Sequence, residues 1–547
     1  MPLHDLRERM KGLIRKHFTP WRAVLILTTV LFLNYVDRGI VAGVSLDIKG
    51  CVASRELCPT LPPTPPCPGH ERNYSNPCEL CRVCGEKCKG EIVQQTGFGI
   101  GGTGLGVLQS AFMLGYIAGA VWIAQLSSHI RPFKLISIGL SCWVLASLGS
   151  AASGWLCSEE HDGAQVCNSY YLMVAMRAVS GVGEAGMNTL SLPFLDDILP
   201  SNVKGRYIGL YYAAIPVGTA CGFIWGGVIA SVTGGAWEWA FALQAPLMIP
   251  FSFLLYFVPE DLGNESSETE LGQDQESDRV PSDGEGNRGE TNSRVSGGSS
   301  ALNSASSITL FENLRACVEQ PAFILGCLAY ACYTGVVAGL GYYGPQFIQN
   351  YRPCDKRWNF SQTMADVIFG LVIVTSGLVG TVSGGWVVDR VKAHASPDKL
   401  QKAIVCTLTM ELIVGLGVSF GATRLDAPVS FFLVLLLGSV AMFMVTPGFN
   451  MVLISMVPYN NRPMAAALSV LIIHLFGDVP SPILIGYLSD TTSPLFTLSA
   501  TICSLSAAVL LLCLVLSLPA KIGPDACNEA DSEVEDDSSL EPLLSSS

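Results

Sequence analysis

The chain has 547 residues, of which half are hydrophobic and 14% charged, with a formal net charge of −13. A soluble globular protein carries about 25% charged residues, so this composition excludes that class and points to a membrane protein. The negative charge sits mainly in polar tails and loops, and no nucleic-acid partner is expected.

Residues 1–20 hold no apolar core, so no cleaved signal peptide is expected. Twelve apolar runs follow, each long enough to cross a bilayer as a helix. They lie at 22–45, 103–126, 134–156, 170–195, 206–232 and 238–258, then 322–349, 365–388, 403–421, 429–457, 464–487 and 495–519, and are numbered spans 1 to 12. The organisation reads as an N-terminal half at 1–258 with a cysteine-rich loop at 46–100, an acidic linker at 259–320, a C-terminal half at 321–520 and an acidic tail at 521–547. The linker, "EDLGNESSETELGQDQESDRVPSDGEGNRGETNSRVSGGSS", cannot bury a core and is expected to be disordered. Basic residues set the orientation. Arg7, Arg9, Lys11, Arg15, Lys16 and Arg22 precede or open span 1. Arg131, Lys134, Lys204, Arg206, Arg390, Lys392, Lys399 and Lys402 occupy short loops on the same side. That side reads as cytosolic, with both termini and the linker.

The cysteines agree with this orientation. Cys51, Cys58, Cys67, Cys78, Cys81, Cys84 and Cys88 fall in loop 1–2, Cys157 and Cys167 in loop 3–4, and Cys354 in loop 7–8, all outside. The spacing of Cys78, Cys81, Cys84 and Cys88 fits an iron–sulfur ligand run or a zinc knot as well as disulfides. An oxidising compartment favours disulfides. No metal and no cofactor is expected. Cys157 and Cys167 can close on each other, and Cys354 is the natural partner for the odd cysteine of loop 1–2. The sequons at Asn73 and Asn359 lie in outside loops, whereas the one at Asn264 lies in the linker and should stay bare.

Charges inside a bilayer are costly and mark function. Span 1 holds Asp37 and Arg38. Span 4 holds Arg177 and Glu184, seven residues apart and so on one helix face, with Gly181 and Gly183 between them for close packing. Span 9 holds Glu411, and span 11 holds His474 and Asp478, four apart on one face. The other eight spans read as free of charge. Four carboxylates face two arginines and one histidine, and a buried carboxylate without a partner takes up a proton. The plainer reading is a set of structural ion pairs, such as Asp37 with Arg177.

Here the residues become recognisable. "GGWVVDR", with Gly385, Asp389 and Arg390, resembles the gating motif of the major facilitator superfamily, while in "QLSSHIRPFK" Ser128 and His129 replace the usual acid and base. Within that superfamily, "NYVDRGIVAG", "RAVSGVGEAG", "YYAAIPVGTACGFIWGG", "VPYNNRPMAAALS" and "HLFGDVPSPILIGYLSD" resemble spinster-type transporters, the altered first gate being most similar to plant and protist members. The resemblance implies an all-α membrane protein with twelve transmembrane helices in two six-helix halves. It implies a secondary carrier of a sphingolipid or lysophospholipid, coupled to protons, in a late endosomal or lysosomal membrane, with lipid and protons as partners and no enzymatic activity. A monomer is expected. Asp37, Arg38, Arg177 and Glu184 would then form a proton-responsive switch, with His474 and Asp478 facing the cavity from the other half. Tyr211, Tyr212, Trp225, Tyr342 and Tyr343 are candidates for packing or for ligand contact. Two rival readings are a small-solute carrier of the same superfamily and a non-transporting receptor with a cysteine-rich loop. "EPLL" at 541–544 resembles a dileucine sorting signal.

Mass spectrometry of the unreduced protein should find Cys157 joined to Cys167 and glycan on Asn73 or Asn359 but not on Asn264. Free thiols or bound metal at Cys78, Cys81, Cys84 and Cys88 would rule out the disulfide reading of that loop.

Overall fold

The computed structural model describes residues 19–49, 97–127, 129–159, 167–258, 314–349, 356–358, 360–458 and 461–518. Eleven helices among these are long and apolar enough to cross a membrane. Span 1 is Pro20–Gly43, followed by a short helix Ser45–Lys49. Span 2 is Gly102–Leu126, span 3 Pro132–Glu159, span 5 Ser201–Val232 and span 6 Glu238–Tyr256. In the C-terminal half, span 7 is Pro321–Gln349, span 8 Gln362–His394, span 9 Pro397–Ala422 and span 10 Pro428–Ser455. Span 11 is broken into Arg462–Ile473 and Pro480–Thr491, and span 12 into Pro494–Cys503 and Leu505–Ser517. The twelfth long helix, span 4 at Ser169–Ile198, has 30 residues. It falls short on apolarity because it carries Arg177, Glu184, Asp196 and Asp197.

The two halves repeat one packing scheme. Span 1 lies on span 5, span 2 on span 4, and span 3 on spans 4 and 6; correspondingly span 7 lies on span 11, span 8 on span 10, and span 9 on spans 10 and 12. Lipid tails are as apolar as leucine, so helix association inside a bilayer rests on close packing at small residues. Spans 1 and 5 meet along Gly39 and Gly43 against Gly218, Gly222 and Gly226. A side-chain carbon on Gly222 would meet the Gly39 Cα at 2.7 Å, and one on Gly226 the Ile40 carbonyl at 2.9 Å. Between spans 2 and 4, Gly181 does the same: a side-chain carbon there would lie 2.7 Å from the Tyr116 amide nitrogen.

Span 11 is interrupted by a π-helical turn at His474–Asp478. Pro480 follows the turn and has no N–H to give the carbonyl four residues back. Val479 instead donates to the His474 carbonyl at 3.0 Å, the wider i→i−5 bond of a π-bulge. Gly477 on the bulge packs against the Ala331 backbone of span 7.

The expected linker at 259–320 is corrected at its end. Residues 314–318 are helical, Arg315 pairs with Glu319 at 2.7 Å, and Cys317 is buried against the C-terminal core. Cys317 supplies a buried apolar contact there, which the acidic stretch before it cannot do. The rest of the linker, the tail with "EPLL", and Cys51, Cys58, Cys67, Cys78, Cys81, Cys84, Cys88, Cys354, Asn73, Asn264 and Asn359 lie outside the described residues. Cys157 and Cys167 form a disulfide between the end of span 3 and the start of span 4.

Gly222→Ala should force spans 1 and 5 apart and cost about 1–3 kcal/mol, as overpacking does. Gly417→Ala, where a side-chain carbon meets nothing within 4 Å, is the control. Thermal unfolding of the purified protein should show a lower Tm for the first variant and none for the second; equal melting would refute the close contact.

Candidate functional site

The charges of spans 1 and 4 come together as two ion pairs. Arg177 Nη1 donates to Asp37 Oδ2 at 2.6 Å, with both side chains at most 1% exposed. Arg38 grips Glu184 in a fork, Nη2 to Oε1 at 2.6 Å and Nε to Oε2 at 3.3 Å, and Arg38 is 14% exposed. Asp37 and Arg38 are adjacent, so their side chains leave span 1 about 100° apart. Asp37 turns into the helix interface and is fully buried, whereas Arg38 keeps some exposure. Asn188, one turn along from Glu184, adds a 3.2 Å hydrogen bond to Oε1. Phe112 of span 2 lies between the two guanidinium groups, 5.0 Å from Arg177 and 4.8 Å from Arg38, and Tyr35 covers Arg38 at 4.5 Å. Ring faces are electron-rich, so these contacts hold the cations without further acids.

The C-terminal half faces this cluster with its own pair. His474 Nδ1 and Asp478 Oδ2 are 2.6 Å apart, and the His474 ring meets Tyr116 of span 2 edge-on at 5.6 Å. The π-bulge carries both residues, which explains why they share a face at the break in the helix. Glu411 stands apart in span 9, half-buried and without an ion pair among the described residues. No group of three or more metal-ligating side chains occurs among the described residues.

Four of the five aromatic candidates are structural. Tyr211 bonds Ser191 at 2.6 Å, Trp225 donates to the Ala240 carbonyl at 2.9 Å, Tyr342 donates to Leu105, and Tyr343 donates to Gly102 and Pro482. Tyr212 is 45% exposed and lies within electrostatic reach of Tyr35 and Tyr330, at the centre between the halves. An apolar cleft lined by Val337, Phe347, Phe369, Phe431, Leu435 and Met442 opens within the C-terminal half.

The contacts between the halves gather on the face where span 1 ends. Span 2 meets span 11 and span 5 meets span 8. Asp490, at the end of span 11, accepts from the Gly102 and Thr103 amides at 2.5 and 2.8 Å and from the Thr103 hydroxyl at 2.8 Å. A carboxylate at a helix N-terminus satisfies amides that have no partner within the helix and complements the dipole. Ser110 donates to the Val479 carbonyl at the bulge, at 2.5 Å. Lys49 donates to Gln346 at 3.2 Å, and Gln362 donates to the Gly43 carbonyl at 2.6 Å and to Asp47 at 3.2 Å. These bonds seal the face on which span 1 ends. Sequence reading missed the seal, although "GYLSD" contains Asp490, because nothing in spacing shows which helix start an acid will cap.

Two further outcomes differ from expectation. Span 8 is not free of charge: Asp366 lies fully buried in its first turns, and its presence in the apolar run was readable. The gating-motif residues occupy the last turns of span 8. Asp389 and Arg390 are exposed there, Arg390 stacks on Trp386 at 4.5 Å, and a side-chain carbon on Gly385 would meet nothing within 4 Å. The motif is therefore not engaged on this face. Of its counterpart, Ser128 lies outside the described residues and His129 is exposed.

A family model for the Major Facilitator Superfamily matches residues 90–477. The chain belongs to the major facilitator superfamily. Within it, the chain is similar to spinster-type transporters: it is 29% identical over 483 residues to "Probable sphingolipid transporter spinster homolog 1" of Arabidopsis thaliana, covering 87% of this chain and 84% of the relative. It is 25% identical over 500 residues to human "Protein spinster homolog 1", covering 90% and 76% respectively. Its fold is that of a bacterial homologue of the human lysosomal transporter spinster in an inward-facing, unoccupied conformation, with a TM-score of 0.57, 15% identity, and 91% and 95% of the two chains covered. A D-xylose–proton symporter shares the fold at a TM-score of 0.55 and 16% identity, with 91% and 97% covered.

Asp490→Ala removes the cap of span 2, a change that costs about 0.5–2 kcal/mol at helix N-termini. Hydrogen–deuterium exchange of the peptide holding Gly102 and Thr103 should accelerate several-fold. Unchanged exchange would show that Asp490 does not hold the seal.

Proposed function

We propose that this protein moves an amphiphilic lipid, a sphingolipid or lysophospholipid, across an endolysosomal-type membrane by proton-coupled alternating access. The observation that carries the reading is the central cluster. Arg38 is the one cation of the two buried pairs that reaches the cavity, and aromatic rings rather than further charges surround it. A single anionic headgroup can replace Glu184 on the Arg38 fork, while a long tail needs an apolar wall such as the cleft beside Phe347 and Phe369. Few charges and one accessible guanidinium suit a lipid with one charged head better than a solute with many polar groups. The names of the plant relatives, probable sphingolipid transporters, support the same class.

The cycle follows from the pairs. Headgroup binding to Arg38 frees Glu184, which is fully buried two turns along span 4 from Arg177. Protonation of an acid in this cluster removes the charge that an unpaired carboxylate could not keep in low dielectric. Asp37 serves as the switch: ionised, it holds Arg177; protonated, it lets spans 1 and 4 shift. A proton moves a carrier only because the two conformations hold it with different affinity. Rocking of the halves would then break the outer seal and form a contact on the opposite face, where the gating motif of span 8 is positioned to act.

Asp37→Asn should fold and bind lipid yet lose pH-driven uptake in proteoliposomes. Glu184→Gln should act similarly if it shares the proton and be silent if it only packs. Arg177→Ala should be the most damaging, since removing one partner of a buried pair costs about 3–5 kcal/mol. The measurement is lipid flux against an imposed pH gradient, with folding checked for each variant; wild-type pH dependence in Asp37→Asn would place the switch elsewhere, with His474 and Asp478 next to test.

A further inference from the structure

Asp366 is fully buried, and neither of its carboxylate oxygens has a hydrogen-bond partner. It lies where span 8 crosses span 5, one of the two main contacts between the halves. The carboxylate rests directly against Gly227 of span 5, so that a side chain at 227 would displace it. One turn earlier on the same face, Thr363 donates to the Gly227 carbonyl at 3.5 Å and Gln362 bonds Gly43 and Asp47. The seat is therefore part of the outer seal, and glycine at 227 is what makes room for it.

An ionised carboxylate cannot remain in such a seat. Among the described residues neither a hydrogen-bond donor nor a cation meets it, and burying it uncompensated costs far more than giving it a proton. The charged neighbour within electrostatic reach is another acid, Asp47 on the short helix after span 1. Lys49, on that same helix, is bonded to Gln346 of span 7, and Glu238 at the start of span 6 lies within reach of Asp47. Arg357, in the turn before span 8, is exposed.

We propose that Asp366 is a second proton-binding site, a latch that admits a proton from the outer compartment and, once protonated, lets the outer seal close. The proton comes from the outer solution as spans 5 and 8 meet and returns to that solution when they part. It never reaches the cytosolic cavity, so this site regulates the cycle and does not supply the driving proton. It is distinct from the Asp37 cluster, which lies between spans 1 and 4. The sign is fixed by burial. The closed seal holds the acid form, so closure is favoured as outer pH falls and opening as it rises. Asp47 works in the same direction: burial pushes its carboxyl up to about 6, so it too sheds charge in an acidic compartment while the seal is shut. A carrier in an acidic organelle would thereby rest with its outer side closed.

The latch rests on the alternating-access reading above but not on the identity of the substrate. The test is the distance between spin labels at Val232 and Val429, exposed residues at the outer ends of spans 5 and 10, carried on a non-natural amino acid so that native cysteines are untouched. In the reconstituted wild type, a longer, open population should grow several-fold from acidic to neutral pH. Asp366→Asn should keep the short distance at both pH values. Asp366→Leu, neutral by a different chemistry, should do the same and guards against a folding defect in the first variant. A pH response in both variants as large as in the wild type overturns the latch and leaves alternating access standing. A wild-type distance that never changes, with pH or with added lysophospholipid, overturns both readings.

Discussion

Arg177 is the constraint around which the N-terminal half is arranged. Its guanidinium is 1% exposed, and one carboxylate, Asp37, is in contact with it. Its Nε and Nη2 have no hydrogen-bond partner among the described residues, and the ring of Phe112 covers its face. In a bilayer such a cation must keep an anion within reach or draw in water. Span 1 is thus tied to span 4 by two ion pairs, while the glycines of span 1 pack on span 5 and Gly181 and Gly183 of span 4 pack on spans 2 and 3. Arg38, one residue further along span 1, then has its direction set and meets Glu184 across the offset that a long side chain can bridge. The cluster follows from one buried cation, two adjacent residues on span 1 and two residues seven apart on span 4.

The second constraint is that backbone polar groups must be satisfied where helices break or begin. Ser110 of the opposite half donates to the Val479 carbonyl beside the π-bulge of span 11, and the start of span 2 leaves amides that Asp490 fills. These are hydrogen bonds between halves, made at helix ends, so they can break without dismantling either half. The cores within each half are apolar and held by glycine contacts, which gives no easy place to part. Apolar contacts bridge the halves as well, with Ala42 and Phe223 of the N-terminal half packed with Ile348 and Phe369 of the C-terminal half. Conformational preference then depends on a few polar side chains at the seal, among them the acids of spans 8 and 11.

Sequence by itself determined the spans, the break between halves and the charges of the central cluster. Lipid leaves no alternative: a run of about 20 apolar residues must form a helix, and an acid inside such a run stands out against it. The disulfide of Cys157 with Cys167 was equally plain from loop position. Tertiary structure alone decided the partners. Helical spacing shows which residues share a face but not which helix that face meets, so Arg38 with Glu184, Asp490 with Gly102, and the orphaned seat of Asp366 against Gly227 emerge only when the helices are packed. It also decided that the gating motif is unengaged while the opposite face is sealed, because a motif is the same string of residues in every conformation, and only packing between the halves distinguishes one conformation from another.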